Sequence, residues 1–318
     1  MKKASDVLIG RDKKEKRKNI RRSYLFQNMN KGVLTNADMK QKKYIVFYSV
    51  LVLIIIICEL IVLVPSVWMI LMGFKDSSEL YQTPVTFFPK EINLSKLWKL
   101  WKQMNFIKYY INTFIMAIGA VAVDIVVCGF AGYVLSRLKP KGSGIIFKIC
   151  FWLMILPGTG RLVPLYKMFI NFPIGHVNMM NTYLPIWIMT GSAVFDIILF
   201  KTTFDNISNS LIEASKIDGA SNIRIFFQII IPLGMPVLIT QGIFTFNYQF
   251  GSFFWPMLLI KDQSKMVLGL QIYKLKDSSM SMDFRMLAML FSILPQLLVF
   301  ALFQKYIMGG VNIGGVKG

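Results

Sequence analysis

The feature that most constrains this chain is the apolar segment that begins after residue 43. Between Ser49 and Pro65 the sequence reads VLVLIIIICELIVLV, with Glu59 as its single charged residue. About 20 mostly apolar residues are enough to cross the hydrocarbon core of a bilayer. The sequence therefore predicts a membrane-spanning helix over residues 44–73.

Five more apolar segments of similar length follow, which predicts an all-α polytopic membrane protein with six transmembrane helices. Of the 318 residues, 55% are hydrophobic and 16% are charged, whereas a soluble domain carries roughly a quarter charged residues. A soluble globule of this size has too little interior to bury so much apolar surface. The five further spans are predicted at 111–135, 145–165, 182–200, 230–255 and 285–304.

The residue counts exclude several classes of function. The three cysteines, Cys58, Cys128 and Cys150, all lie in apolar segments, which excludes a disulfide scaffold and a cysteine-rich metal site. A single histidine argues against histidine-based catalysis and against most membrane enzymes. We therefore expect no enzymatic activity and no bound metal.

The N-terminal 43 residues are strongly basic, with 14 Lys and Arg against four acids. The positive-inside rule places such a tail in the cytoplasm, and six spans then return the C-terminus to the same side. The run KKEKRKNIRR at 13–22 could also suggest nucleic-acid binding, but no aromatic stacking platform accompanies it. We expect a solvated tail that contacts anionic membrane lipid, and no nucleic-acid partner.

A helix–elbow–helix pattern lies between the fourth and fifth predicted spans. Ser210 and Glu213 have the spacing of a capping box, which predicts a helix from about 211 to 218. Gly219 suits the left-handed residue that ends a helix. Ser221 or Asn222 can cap the next helix, which continues toward Pro232. The first helix would then offer an apolar contact face to a partner protein, formed by Leu211, Ile212, Ala214 and Ile217.

The spacing in this segment resembles the EAA signature of binding-protein-dependent ABC importer permeases. Glu213-Ala214-Ser215 is followed after three residues by Gly219, and after nine more by Ile229, one residue, and Ile231-Pro232. Ser215 and Ile231 depart mildly from the usual Ala and Leu. Asp218-Gly219-Ala220 is similar to the DGA that many members carry.

Other segments resemble the carbohydrate branch of that family, in particular the shorter membrane subunit of the maltose importer. The similar segments are Asn112-Thr113, Tyr133–Arg137, Pro164–Tyr166 and Gly314–Gly318. The predicted organisation is a basic tail (1–43), a first transmembrane helix with an outside loop (44–110), a permease core (111–308) with its EAA loop at about 203–231, and a cytoplasmic tail (309–318).

The resemblance implies a non-catalytic subunit that forms half of a pore in the bacterial plasma membrane. Implied partners are a second permease, two ATPase subunits, an extracytoplasmic solute-binding protein and a carbohydrate, with an oligosaccharide as the expected form. ATP and magnesium would bind the ATPases, and no cofactor would bind this chain. The C-terminal GGVNIGGVKG does not satisfy the P-loop pattern. The implied ATPase-coupling residues are Glu213, Ala214, Ser215, Asp218, Gly219 and Ala220.

Polar and aromatic residues within the spans are candidates for the substrate path. An ionisable residue inside a span faces protein or water rather than lipid, so Asp124 is either a pore-lining residue or an interhelical hydrogen-bonding partner. In the fifth span, aromatic rings alternate with amides, a combination that suits sugar rings and hydroxyls. The candidates there are Asn247, Tyr248, Gln249 and Phe253.

Two alternatives remain open from the sequence. An ABC permease for a peptide, amino acid or other solute would share the EAA spacing. A secondary transporter would require internal repeats and a mid-membrane charge relay, and the scattered acids do not favour one.

Overall fold

The computed structural model of the chain describes residues 42–310, which form helices and connecting loops. Strand-like pairing in this range is limited to an isolated bridge between Phe172 and Val177. The helices are α1 Lys42–Phe74, α2 Ser77–Leu80, α3 Ser95–Met104, α4 Phe106–Leu138, α5 Ser143–Ile155, α6 Leu162–Ile170, α7 Leu184–Gly191, α8 Val194–Asp205, α9 Asn209–Ile217, α10 Asn222–Gly251, α11 Phe254–Leu259, α12 Leu268–Lys274 and α13 Met282–Gly310. Most of the predicted basic tail, including 13–22, and nearly all of the C-terminal tail lie outside the described residues.

Four of these helices are long and apolar enough to cross a membrane: α1, α4, α10 and α13. A fifth span results if α7 and α8 together cross it, although they meet at a 45° bend. The remaining predicted span, 145–165, is not one helix, because α5 ends at Ile155 and α6 begins at Leu162. The count of six spans stays a prediction.

Residue contacts divide the chain into two units, Met1–Val67 and Trp68–Gly318. In the first unit, the described part of α1 carries exposed aliphatic side chains on all sides. A helix that is hydrophobic all round is typical of a membrane span. This agrees with the predicted first span.

In the second unit, α4 and α10 form the centre of the helix packing. α10 packs against α4 and α13, while α7 and α8 pack along successive halves of α4. Tyr133, near the C-terminal end of α4, lies in a buried cluster with Phe204 and Phe226. Met116, toward the N-terminal end of α4, lies in a different cluster with Ile186 and Leu259.

The close approach of α4 and α8 depends on Gly132. A Cβ atom at this position would lie 2.8 Å from the backbone nitrogen of Lys201 and 2.9 Å from Cβ of Phe200. Real Cβ atoms do not approach backbone atoms so closely, so any larger residue would force the two helices apart. Gly132 therefore sets the spacing of this helix pair.

Some interruptions of the predicted helices follow from the local sequence and others do not. Leu156 adopts an extended conformation before Pro157, as expected for a residue that precedes proline. The fourth predicted span, 182–200, breaks at Ser192 and Ala193 between α7 and α8. The fifth, 230–255, begins earlier than predicted, at Asn222, and ends at Gly251.

A partly buried ion-pair cluster connects the segment before α4 to α13. The Lys96 ammonium lies 2.6 Å from a carboxylate oxygen of Asp76 and 2.9 Å from one of Asp283. Ser77 donates a hydrogen bond of 2.6 Å to the other oxygen of Asp283. Burial alone lowers the pKa of Lys96, but the hydrogen bonds and charges of the two carboxylates outweigh it and raise that pKa above 10.5. Lys96 is therefore charged at neutral pH.

Candidate functional site

The first part of the candidate site is α9, the short helix that carries the Glu-Ala-Ser segment. It begins two residues earlier than the capping-box pattern predicts, at Asn209, with Ser208 as the N-cap in an extended conformation. Ser208 makes no capping hydrogen bond to the backbone, and its hydroxyl lies 2.7 Å from that of Ser210. The predicted capping box between Ser210 and Glu213 is therefore wrong, because Ser210 lies inside the first turn.

The elbow after α9 forms as predicted. Gly219 has a φ of +78°, in the left-handed region. The N–H of Ala220 donates to the carbonyl of Ser215 at 3.0 Å, and the N–H of Gly219 donates to that of Lys216 at 3.0 Å. These two bonds are the Schellman motif that ends a helix at a left-handed residue.

The helix after the elbow also starts as predicted. Ser221 is the N-cap of α10, and its hydroxyl accepts a hydrogen bond of 3.3 Å from the N–H of Arg224. A π-helical turn at Phe226–Ile230 then precedes Pro232 within the same long helix. A proline removes one backbone donor, and a wider turn nearby accommodates that loss without ending the helix.

α9 is attached to the bundle by one face and exposed on the other. Ile212 is buried, with Phe204 and Phe226 among the residues of its cluster. It is therefore not part of an open contact face, which corrects the prediction for this residue. Leu211 is 48% exposed and Ile217 is 87% exposed. Ala214 on the same short helix is also exposed, as are Glu213, Asp218 and Gly219.

Arg137 fixes the chain immediately before α9. Its guanidinium donates to the carbonyl oxygens of Phe204 and Ile207 and to the side-chain oxygen of Asn209. The neighbouring Ser136 donates a hydrogen bond of 2.7 Å to Asp205. Sequence reasoning did not assign Arg137 a function; its position in the Tyr133–Arg137 segment was the available signal.

The second part of the candidate site is a cavity of about 1090 Å³ in the second unit. Its wall comes from the α5–α6 junction, α7, the start of α8, α10 and α11. The polar and charged residues of the wall are Arg161, Thr190, Ser192, Asp196, Gln241, Thr245 and Gln249, and its aromatic residues are Phe195, Phe244, Tyr248, Phe254 and Trp255.

The polar groups of α10 form hydrogen bonds across the helix packing. Gln241 donates to Asp196 at 2.7 Å, and Thr245 donates to Asp124 at 2.8 Å. Gln249 donates to the hydroxyl of Thr190 at 2.9 Å. Residues 241, 245 and 249 recur every four positions, so they share one face of the helix. That spacing was visible in the sequence and was missed for Gln241 and Thr245.

The predicted path residues lie in different places. Tyr248, 70% exposed, and Gln249 belong to the cavity wall. Asp124 is fully buried, accepts a hydrogen bond from Thr245 and does not line the cavity, which favours the interhelical hydrogen-bonding role. Phe253 stacks on Tyr273 with ring centroids 4.4 Å apart and lines a separate cavity of about 480 Å³.

Asn247 is also absent from the wall of the larger cavity. The wall of the larger cavity thus contains Tyr248 and Gln249, and substrate contact stays a prediction for all five residues. Among residues 42–310, no group of three or more His, Cys, Asp or Glu side chains could hold a metal ion.

Comparison with known proteins identifies the family. Residues 47–312 match the family described as "Binding-protein-dependent transport system inner membrane component". The chain belongs to this family. This membership and the permease relatives confirm three predictions from the sequence: the helical permease fold, the non-catalytic character and a multi-pass membrane protein.

Relatives of this binding-protein-dependent permease include two uptake-system proteins. The chain is 28% identical over 268 residues, 82% of this chain and 86% of the relative, to the diacetylchitobiose uptake system permease protein NgcG of Streptomyces coelicolor. It is 27% identical over 290 residues, 89% of this chain and 99% of the relative, to the galactooligosaccharides transport system permease protein GanQ of Bacillus subtilis. The predicted resemblance to carbohydrate permeases is thereby confirmed.

A solved structure has the same fold as this permease. A chain from the crystal structure of a bacterial ABC transporter involved in the import of the acidic polysaccharide alginate superimposes with a TM-score of 0.70 at 23% identity. The match covers 84% of this chain and 98% of that chain. At this level of identity, the likeness concerns the fold.

Proposed function

We propose that this chain is one of two membrane subunits that form the translocation pore of a bacterial ABC importer for a carbohydrate, most simply an oligosaccharide. A solute-binding protein delivers the solute from outside. Two ATPase subunits, which hold ATP and magnesium, drive transport through α9. In this arrangement both termini of the chain lie in the cytoplasm of a plasma-membrane protein.

The observation that carries this proposal is the attachment of α9. Ile212 and the Arg137 hydrogen bonds hold the helix against the bundle, while Leu211 and Ile217 remain exposed. An exposed apolar pair on a rigidly held short helix suits a groove on a partner protein. Force applied by a partner at α9 would pass directly to α4 and α8, because Arg137 belongs to α4 and bonds the end of α8.

The cavity supports a carbohydrate as the solute. Sugar rings present C–H faces that pack on aromatic side chains, and their hydroxyls require hydrogen-bonding partners. Tyr248, Trp255 and Phe254 supply aromatic surface, while Gln249 and Thr190 supply polar groups in the same wall. The named substrates of NgcG and GanQ agree with this assignment.

The first test is to purify the chain from native membranes in mild detergent and identify the proteins that accompany it by mass spectrometry. The proposal expects a second permease, a P-loop ATPase and a solute-binding protein. The binding protein, screened against glycans, peptides and amino acids, would then identify the solute class. Recovery of the chain alone, active in vesicles under an ion gradient without ATP, would contradict the proposal.

A second test addresses the role of α9 directly. A photoreactive amino acid placed at Leu211 or Ile217 should crosslink to the ATPase in the intact complex. The same amino acid at Ile174, which is 79% exposed in the loop between α6 and α7 on the opposite side of the predicted topology, provides the control and should give no such product. Equal crosslinking at all three positions would mean that α9 has no specific binding site on the ATPase.

A further inference from the structure

We infer that Arg161 makes the large cavity selective for carboxylate-bearing glycans over neutral ones. This inference rests on the proposed carbohydrate transport and adds a substrate class and a specificity-determining residue to it.

Arg161 lies at a helix break inside an apolar segment. α5 has 13 residues and α6 has nine, and the 3-10 turn Gly158–Arg161 lies between them. At 1.5 Å per residue, these helices extend about 20 Å and about 14 Å from the break. Arg161 lies four residues before the predicted end of the third span, 145–165. A charged side chain in such a segment is stable only if it faces protein or water.

The side chain of Arg161 faces the cavity. It is exposed and belongs to the cavity wall, and it makes no hydrogen bond or ion pair with any residue that the structure describes. By contrast, the guanidinium of Arg137 bonds two carbonyls and an amide oxygen, and that of Arg285 bonds three backbone carbonyls. The donors of Arg161 are thus open to a ligand.

The other charged residue of the wall does not neutralise Arg161. Asp196 is 7% exposed, and its carboxylate accepts a hydrogen bond from Gln241. No ion pair joins Asp196 to Arg161 in the described structure. The exposed charge in this wall is therefore the guanidinium of Arg161, while the carboxylate of Asp196 is buried.

The helix that follows adds to this positive charge. α6 begins at Leu162, the residue after Arg161, and its N-terminal end carries the positive end of the helix dipole. Interrupted helices in transporters use such ends toward anionic substrate groups. The dipole reinforces the guanidinium, which remains the group that provides specificity.

A carboxylate fits this guanidinium chemically. The planar fork of arginine donates two parallel hydrogen bonds to the two oxygens of one carboxylate. In a uronic acid the carboxylate projects from the sugar ring, so the ring itself is free to pack on Tyr248 or Trp255 in the same wall. A neutral sugar would gain the ring contacts without the ion pair.

The test compares two trisaccharides of the same ring configuration: trigalacturonate, which is acidic, and galactotriose, which is neutral. Binding to the intact purified importer in nanodiscs is measured by tryptophan fluorescence, with Trp255→Phe to identify the signal from the cavity. Wild type should bind the acidic probe about tenfold more tightly, equivalent to about 1.4 kcal/mol. This preference should decrease as salt is added.

The variants separate Arg161 from general charge effects. Arg161→Gln should remove the preference, with trigalacturonate binding weakened about tenfold more than galactotriose binding, while Arg161→Lys should retain part of the preference. Lys167→Gln is the matched control, because Lys167 is exposed on α6 and does not line the cavity; it should keep the full preference.

Three results would overturn the inference. Equal binding of both probes by wild type would refute the selectivity and leave carbohydrate binding supported. A preference that persists in Arg161→Gln would refute the role of this residue. Failure of the wild-type importer to bind or transport either glycan, while a peptide or amino acid is transported, would refute the carbohydrate function together with the inference.

Discussion

Replacement of Gly219 by alanine should impair transport without preventing folding. A Cβ atom at this position would meet nothing within 4 Å, so the change introduces no steric clash. Its cost is conformational, because φ is +78° and an L-residue in the left-handed region is less stable by about 1–2 kcal/mol. We call the elbow closed when its two Schellman bonds are formed and open when they are broken. The conformational cost shifts the equilibrium between these two forms about 5- to 30-fold toward the open form.

The open elbow would lose both Schellman bonds and change the direction of α9. We therefore expect Gly219→Ala to reduce ATP-driven uptake in proteoliposomes by up to this factor, while the amount of inserted protein stays normal. ATP hydrolysis should fall less than uptake, because the ATPases remain intact and only their connection to the pore is altered. Gly219→Asn should be milder, since asparagine tolerates the left-handed region better than alanine does.

Gly142 provides the matched control. Its φ is +89°, and a Cβ there would also meet nothing within 4 Å. Gly142→Ala therefore introduces the same kind of backbone strain in a loop that does not carry α9. If Gly142→Ala and Gly219→Ala lost uptake equally, or if Gly219→Ala transported normally, the elbow would have no specific role in coupling.

Two further predictions concern stability and are checked by thermal unfolding of the purified protein. Gly132→Ala should destabilise it by about 1–3 kcal/mol through the clash with α8. Gly129→Ala, whose Cβ would lie 3.7 Å from its nearest neighbour, should be tolerated. Equal effects of the two changes would contradict the close approach of α4 and α8 at Gly132. Lys96→Met should cost about 3 kcal/mol at neutral pH, because it leaves Asp283 buried without its ion pair. The pKa of Lys96 is raised above 10.5, so the stability difference between wild type and Lys96→Met should persist at neutral pH and shrink as the pH rises through the folded-state pKa. Lys99→Met, at an exposed position, should show neither the loss of stability nor its pH dependence.

The parts of the site that local sequence determines could be predicted. Gly219 and Ser221 act through bonds to residues within five positions, so their roles follow from residue type and spacing. The capping box failed for a tertiary reason. Arg137 bonds the chain at Ile207 and Asn209, and this contact from α4 sets the start of α9 before Ser210 can act as a cap.

The cavity wall was harder to predict, because it depends on which helix face packs inward. Asn247 and Gln249 are both amides in the fifth span, yet the wall contains Gln249 and not Asn247. A two-residue offset places side chains on nearly opposite faces of a helix. Composition alone cannot choose between these faces; the hydrogen bonds from Gln249 to Thr190 and from Gln241 to Asp196 decide it.

The bend between α7 and α8 illustrates how tertiary contacts support a break that the sequence barely indicates. A break inside a span leaves backbone carbonyls without their usual helical donors, which is costly away from water. Here the buried thiol of Cys128 lies 3.4 Å from the carbonyl of Thr190 and 3.3 Å from that of Gly191. The break in turn places Ser192 and Asp196 in the cavity wall. A cysteine that composition assigned to an apolar segment therefore helps stabilise the polar part of the site.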